Sequence, residues 1–188
     1  AMTTLHAAGV RIPRVHQHLD GVIVMDLVLG DDGEPAPQLA ACRFTRDQAL
    51  RSHHLLMVQI ARMLCAGLVH GDLSEYNILL AADGPVIIDL PQAIDAAGNN
   101  HANRMLLRDV ANLRNFFGQF APELLKTNFG DEIWSLYESG ALQVETPLTG
   151  RFARKTGPVD VCHVLREIDD AKAEEAARRV RMQLQPVR

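Results

Sequence analysis

The spacing of apolar residues predicts a β-hairpin at the start of the chain. Residues 12–16 and 21–29 have the composition of short strands, and the second contains the unbroken apolar run at residues 22–25. The turn between them falls at Leu19, Asp20 and Gly21. The Gly- and Pro-rich residues 30–37 show no periodicity and predict a connector.

From Thr45 onward, apolar residues recur at helical spacing, which predicts a long and largely buried helix. Thr45 suits the N-cap, Asp47 the first turn and Gly67 the C-terminal stop. Residues 68–70 then predict a short strand that leads into a polar loop.

A second hairpin is predicted beyond that loop. Apolar runs at residues 78–80 and 86–88 flank the pair Asp83-Gly84, which is typical of a tight turn between strands. Further on, helical spacing covers residues 101–117 and 122–139, low periodicity covers 140–158, and a final helix is predicted at about 160–184.

Composition indicates a globular and soluble protein. The 188 residues are 47% hydrophobic and 22% charged, which suffices for one domain with a sizeable core. No apolar stretch approaches the roughly 20 residues of a membrane span, and no secretory signal is recognisable, so we expect a cytoplasmic protein without a membrane partner. The three cysteines are too scattered to predict a disulfide framework or a thiolate metal site.

The net charge of −4 is unevenly distributed. Residues 1–150 hold 10 basic and 17 acidic side chains, whereas residues 151–188 hold 9 and 6. A basic tail can contact nucleic acid, but interspersed acids are more typical of a solvated helix, and no nucleic-acid-binding motif is recognisable.

Candidate chemistry is concentrated at Asp72, Asn77 and Asp89. Phosphoryl transfer needs a group that orients the nucleophile and oxygen ligands that hold Mg²⁺. Asp72 and Asn77 have the Asp-x-x-x-x-Asn spacing of a protein-kinase catalytic loop, and Asp89 closes the second arm of the predicted hairpin. Each residue alone could simply cap a turn, but their order around a hairpin favours a phosphoryl-transfer site.

Two pairs of histidines are weaker candidates. His16 and His18 lie two apart on a predicted strand, and His53 and His54 are adjacent on the predicted helix. No further ligand stands at metal-binding spacing, so ordinary structural roles are favoured.

The run LVHGDLSEYNIL at residues 68–79, followed by IIDLPQA at 87–93, resembles the RIO family of atypical serine/threonine protein kinases. The similarity extends to RDVAN at 108–112 and to AGVRIP at 8–13, and covers about residues 5–140. The motif LSEYN at residues 73–77 differs from the catalytic-loop sequences that are usual in other protein kinases and in small-molecule phosphotransferases.

The resemblance implies roles for specific residues. Asp72 would be the catalytic base, Asn77 and Asp89 would hold Mg²⁺ or Mn²⁺, and Asp89 could itself be phosphorylated from ATP. Residues 25–28 would form the hinge that meets the adenine of ATP, and contacts to the nucleotide are expected from Met25, Leu27, Leu79 and Ile88. The same residues also suit ordinary strand core.

Asp109 has two readings. By the resemblance it would accept backbone N–H groups of the catalytic loop, and by its neighbour Arg108 it could form a surface ion pair.

Parts of a kinase site are not recognisable in the sequence. No glycine-rich loop precedes the hinge, and the first lysine is Lys126. We expect the chain to begin near the end of a helix and to lack most of an N-lobe. A shortened piece, a naturally short or misannotated start, and a cation from Arg11, Arg14 or a partner chain are the alternatives. The second is favoured because Met2 follows Ala1, which resembles a tag remnant.

The sequence thus predicts an α+β, protein-kinase-like fold. Residues 2–29 would be an N-lobe remnant, 30–140 a mainly helical C-lobe with the catalytic loop, and 141–188 a linker and helix. The expected function is that of a RIO-type kinase or ATPase acting on an unnamed protein, with ribosome assembly as a family analogy. A catalytically silent scaffold and, less favoured, a small-molecule phosphotransferase remain as alternatives.

Overall fold

The fold is α+β, as the sequence predicts. A computed structural model of the chain describes residues 2–152. The α-helices are α1 Met2–Ala7, α2 Arg46–Cys65, α3 Ala102–Gly118 and α4 Phe129–Glu138. The strands are β1 Val15–Leu19, β2 Val22–Met25, β3 Leu68–Val69, β4 Ile78–Ala81, β5 Gly84–Ile87 and β6 Ile94–Asp95. Short 3₁₀ helices lie at Leu39–Ala41, Leu90–Gln92 and Pro122–Lys126.

The strands form three separate antiparallel pairs, β1 with β2, β3 with β6 and β4 with β5. Because no sheet in the described residues exceeds two strands, the sheets cannot supply a core by themselves. The core is instead built by helices α2, α3 and α4, with β3, β4 and β5 packed against them.

Helix α2 confirms its predicted ends. Thr45 and Gln48 form a reciprocal capping box, in which the Thr45 side chain accepts from the Gln48 N–H and the Gln48 side chain accepts from the Thr45 N–H. Gly67 follows the C-cap with a φ of +77°, a conformation that glycine adopts without strain. The long helix therefore delivers the chain to β3 and the polar loop at a fixed place.

An aromatic cluster anchors α3 to α2. The ring centroids of Phe44 and Phe117 lie 5.4 Å apart, those of Phe116 and Phe117 lie 5.1 Å apart, and all pairs are edge to face. His53 of α2 packs 5.9 Å from Phe117 and is buried. This packing fixes the position of α3, the helix whose side chains contact the loop between β3 and β4.

Three predicted elements differ from the structure. The second strand, predicted over residues 21–29, ends at Met25, and Leu29 instead forms an isolated bridge with Pro35. The first strand begins at Val15 and not at residue 12, because Val10 and Ile12 are buried in the core while Pro13 lacks an N–H to donate. The helix predicted over 122–139 is interrupted before α4, where the Asn128 N–H donates to the Gly150 carbonyl at 2.8 Å. The contact between Asn128 and Gly150 therefore lies at the boundary between the 3₁₀ helix Pro122–Lys126 and α4.

Helix α1 stands at the start of the described chain, where a helix end was expected, and its Leu5 is fully buried. The helix predicted at 160–184 and the basic tail lie outside the described residues. Within residues 2–152, no helix combines the length and apolarity needed to cross a bilayer.

Candidate functional site

The loop between β3 and β4 turns sharply at Gly71, whose φ is +82°. A Cβ atom at this position would lie 3.2 Å from the Gln92 carbonyl oxygen. Both the backbone conformation and the close approach therefore require glycine here. The turn leaves Asp72 exposed, while Leu73 is buried in the core.

Asp109 of α3 holds the loop from below. Its carboxylate accepts the N–H of Gly71 and the N–H of Leu73, both at 2.9 Å. Burial raises the pKa of Asp109 to about 6, while the two backbone N–H donors and the nearby His70 and Arg108 oppose that rise. Of the two readings from sequence, acceptance of loop N–H groups is confirmed.

Other side chains hold the loop around Asp72. Arg108 donates from Nη2 to the Gly71 carbonyl, and the Asp72 N–H donates to Nδ1 of His70 at 3.4 Å. Nε2 of His70 lies 3.0 Å from the Ile88 carbonyl, so this nitrogen carries the proton and Nδ1 is left as the acceptor. His70 thereby joins the loop to the strand that leads into Asp89.

Asn77 stands between Asp72 and Asp89. Its Nδ2 donates to the Asp72 carbonyl at 2.8 Å, and its backbone carbonyl accepts the Ile88 N–H at 3.0 Å. Because Asp89 follows Ile88 directly, two hydrogen bonds link the three predicted residues across the β4–β5 hairpin. These hydrogen bonds therefore connect the three segments that carry Asp72, Asn77 and Asp89.

Asp89 has an unusual backbone. It lies in the left-handed region, with φ +63° and ψ 58°, and its side chain is exposed. A non-glycine residue in this region costs of order 1 kcal/mol or more and is often found at functional sites. The conformation starts the 3₁₀ helix Leu90–Gln92 immediately after β5.

A cavity of about 940 Å³ lies beside Asp89. All four residues predicted to contact nucleotide line it, together with Asp89 itself, while Asp72 and Asn77 are not among its lining residues. Apart from Asp26 and Asp89 the lining is apolar, and Nε2 of His16 lies 2.5 Å from the Asp26 carboxylate. A cavity of this size and character suits a drug-sized or nucleotide-sized ligand.

Two of the four residues predicted to contact nucleotide are not ordinary strand core. Met25 is 42% exposed and Leu27 is 69% exposed, so that alternative is wrong for both. Sequence reasoning missed Ile23, which also lines the cavity. The alternation of side chains along a strand could have identified Ile23, because it lies two residues before Met25 and therefore on the same face of β2.

Neither arginine near the start of the chain is shown to reach the cavity. Arg11 is engaged by Asp83, through the side chain and through the carbonyl at 3.0 Å, at the turn of the β4–β5 hairpin opposite Asp89. Arg14 is exposed and lines a neighbouring cavity, which shares Met2 and Ile23 with the larger one.

Comparison with known proteins identifies the family. A family model described as the RIO domain matches residues 1–129. Over 110 residues, or 58% of the chain, the sequence is 39% identical to the RIO-type serine/threonine-protein kinase Rio1 of Haloferax volcanii, and it is 36% identical to that of Methanocaldococcus jannaschii over 57% of the chain. It is 35% identical to the human serine/threonine-protein kinase RIO1 over 60% of the chain.

These alignments cover only part of each relative. They span 37% of the Haloferax protein, 36% of the Methanocaldococcus protein and 20% of the human protein. The RIO match over more than two thirds of the chain includes the loop, the hairpin and helix α3 that build the site. The chain therefore belongs to the RIO domain family.

Proposed function

We propose that this chain carries the nucleotide pocket and catalytic loop of a RIO-type serine/threonine protein kinase or ATPase. The observation that carries the proposal is the continuity of the site. Asp89 lines an apolar cavity and is linked through Ile88 and Asn77 to Asp72, whose loop is held by the buried Asp109.

The cavity suits the base and ribose of ATP. Apolar side chains of β2, β4 and the segment after β5 give surfaces against which a purine can pack. In the hinge, the Asp26 N–H donates to the Arg14 carbonyl and the Val28 carbonyl accepts from Ala36. The Asp26 carbonyl and the Val28 N–H have no hydrogen bond within residues 2–152, so both are available to the edge of adenine.

Asn77 and Asp89 have the chemistry of Mg²⁺ ligands. The amide nitrogen of Asn77 is used on the Asp72 carbonyl, which leaves Oδ1 as an oxygen ligand, and the Asp89 carboxylate forms no ion pair with a residue of the described chain. Hard oxygen donors of this kind suit Mg²⁺ or Mn²⁺. When bound, such a cation neutralises negative charge on the phosphate oxygens.

The proposed reaction transfers the γ-phosphoryl group of ATP. A serine hydroxyl of a protein substrate attacks the γ-phosphorus, the bond to the β–γ bridging oxygen breaks, and ADP leaves. Asp72 is exposed on a fixed loop and accepts the hydroxyl proton. In the absence of such a substrate, the exposed Asp89 carboxylate can attack the same phosphorus and form an acyl phosphate.

The proposal includes a lobe assignment. Residues 2–29 correspond to part of an N-lobe with the hinge, and residues 30–140 correspond to the C-lobe. A cation for the phosphates would come from Arg14 or from another polypeptide, since Arg11 is engaged at the far turn of the hairpin. The small-molecule alternative is not favoured by any feature of the site.

Calorimetric titration of ATP with Mg²⁺ into the chain tests the proposal. We expect saturable binding that is weakened at least about tenfold by Asp89→Ala, because that variant removes a metal ligand. Asp83→Ala is the matched control, since this exposed aspartate lies at the opposite end of the same hairpin. γ-Labelled ATP reports both the acyl phosphate and phosphoserine. Asp72→Asn should lose the formation of phosphoserine.

Two results would contradict the proposal. The absence of binding at millimolar nucleotide would favour a silent scaffold for the isolated chain. Binding that is unchanged in Asp89→Ala would exclude placement of the nucleotide through the proposed metal site.

A further inference from the structure

Asp72 lies between two peptide units whose orientation sets the direction of its Cα–Cβ bond, from which the carboxylate extends. A peptide unit is planar, so holding its carbonyl and its N–H fixes the whole plane. If both flanking planes are fixed, the φ and ψ angles of Asp72 are fixed as well. No helix or sheet bonds are available for this purpose, because the loop lies between β3 and β4.

The following peptide unit is held at both ends. Its carbonyl, that of Asp72, accepts from Asn77, and its N–H, that of Leu73, donates to Asp109. Both partners already belong to the proposed site.

The preceding peptide unit is more loosely held. Its N–H, that of Asp72, makes only a long 3.4 Å bond to His70, and its carbonyl, that of Gly71, accepts from Arg108. The unit is also intrinsically free to rotate, since Gly71 has no Cβ to restrict its ψ angle. Arg108 is therefore the stronger of two restraints on the softest point of the loop.

The Gly71 carbonyl is the hydrogen-bond partner of the Arg108 side chain within residues 2–152. Its neighbour Asp109 directs both carboxylate oxygens to the loop, and no ion pair of Arg108 occurs within residues 2–152. The bond reaches a residue 37 positions away in sequence, and a charged donor makes it stronger than a neutral one would.

We propose that Arg108 is a positioning residue that locks the Gly71–Asp72 peptide plane and thereby aims the Asp72 carboxylate at the incoming hydroxyl. The kinetic consequence rests on the proposed function. The structural consequence does not, because it concerns only the loop.

The first test measures backbone ¹⁵N relaxation of the full chain in the wild type and in Arg108→Gln. We expect the order parameter of the Asp72 amide to fall from near 0.85 to below about 0.6, while the Gly71 and Leu73 amides, which Asp109 holds, stay rigid. An unchanged Asp72 amide would overturn the proposal. So would equal loosening of all three amides, since that would indicate general destabilisation.

The second test is kinetic. Arg108→Gln should lower kcat about 10- to 100-fold and leave the KM for MgATP within about twofold, because misplacement of the base does not affect nucleotide binding. Arg108→Lys, which keeps a cationic donor, should recover part of the loss. Arg51→Gln, which removes an exposed arginine of α2, is the matched control and should match the wild type in both tests.

The two tests separate the proposals. A wild-type chain that neither binds nor uses ATP would reject the proposed function, and the relaxation measurement would still decide the role of Arg108. A rise in KM with unchanged kcat in Arg108→Gln would overturn the positioning role.

Discussion

The loop at residues 70–77 and the β1–β2 hairpin contribute to the same candidate site but are built in opposite ways. Backbone groups of the loop are held by side chains of α3 and of the loop itself, and its Leu73 is fully buried. The hairpin leaves every residue of β2 exposed. It is joined at the Asp20-Gly21 turn, where both residues have positive φ.

This contrast separates two ways of making a site. The proposed catalytic residues take their positions from a packed helical core, so their geometry depends on global stability. The proposed nucleotide contacts on β2 and the hinge are exposed apolar side chains. Exposure of apolar surface to water is unfavourable, and exposed apolar patches are often ligand-binding sites. Changes in the loop should therefore affect folding and function together, whereas changes in the hairpin should affect function alone.

The largest expected effect follows from Asp109→Ala. The substitution leaves the buried N–H groups of Gly71 and Leu73 without an acceptor, and each such group costs about 1–3 kcal/mol. We expect a loss of about 3 to 4 kcal/mol in the free energy of unfolding, measured by urea denaturation, together with loss of phosphoryl transfer.

The matched control for this change is Asp83→Ala. Asp83 pairs with Arg11 at a turn, where its side chain is 74% exposed, so its removal should cost less than about 1 kcal/mol. Equal losses in the two variants would show that the loop does not depend on the core as described.

Sequence reasoning succeeded where local chemistry decides the structure. The Thr45 N-cap, the Gly67 stop and the two hairpin turns are each set by neighbouring residues, and all were recognisable. The order of Asp72, Asn77 and Asp89 predicts a common site, and the hydrogen bonds from Asn77 to Asp72 and from Ile88 to Asn77 connect the segments that carry them. In such places the chain has few alternatives to the structure that it adopts.

Sequence reasoning failed where distant contacts decide. The break before Asn128 depends on Gly150, and the role of Arg108 depends on a carbonyl 37 residues away. The exposure of Met25 and Leu27 was missed because an apolar run has the same appearance in a core strand and in a ligand-binding strand. Only the tertiary structure distinguishes these cases.

The next effect is a pH dependence that comes from the core. Burial, with smaller contributions from His54 and Arg114, lowers the pKa of His53 from 6.5 to about 4. Between these values the unfolded chain binds a proton that the folded chain does not, so stability should fall as pH decreases from 6.5 to 4 and level off outside this range. At about 1.4 kcal/mol per pKa unit, the loss is at most about 3.5 kcal/mol.

His53→Leu isolates this contribution in urea unfolding at several pH values. Asp109 acts in the opposite direction, because its pKa is raised to about 6 and the folded chain therefore gains its proton first as pH falls. The difference between the wild type and His53→Leu should nevertheless grow from pH 7 to pH 4, whereas Gln17→Ala, which changes an exposed hairpin residue without a titratable group, should keep the wild-type dependence. A constant difference would exclude His53 as the source.

The smallest effect on stability, and the sharpest test of the contrast, is expected from Leu27→Ser. Leu27 is 69% exposed and lines the cavity, so the free energy of unfolding should change by less than about 0.5 kcal/mol. Loss of its contact with the base should weaken MgATP binding about fivefold, or about 1 kcal/mol, by calorimetry. Leu29→Ser is the matched control, because Leu29 is also exposed but does not line the cavity. If both variants bind nucleotide as the wild type does, nucleotide binding does not explain why Leu27 is exposed.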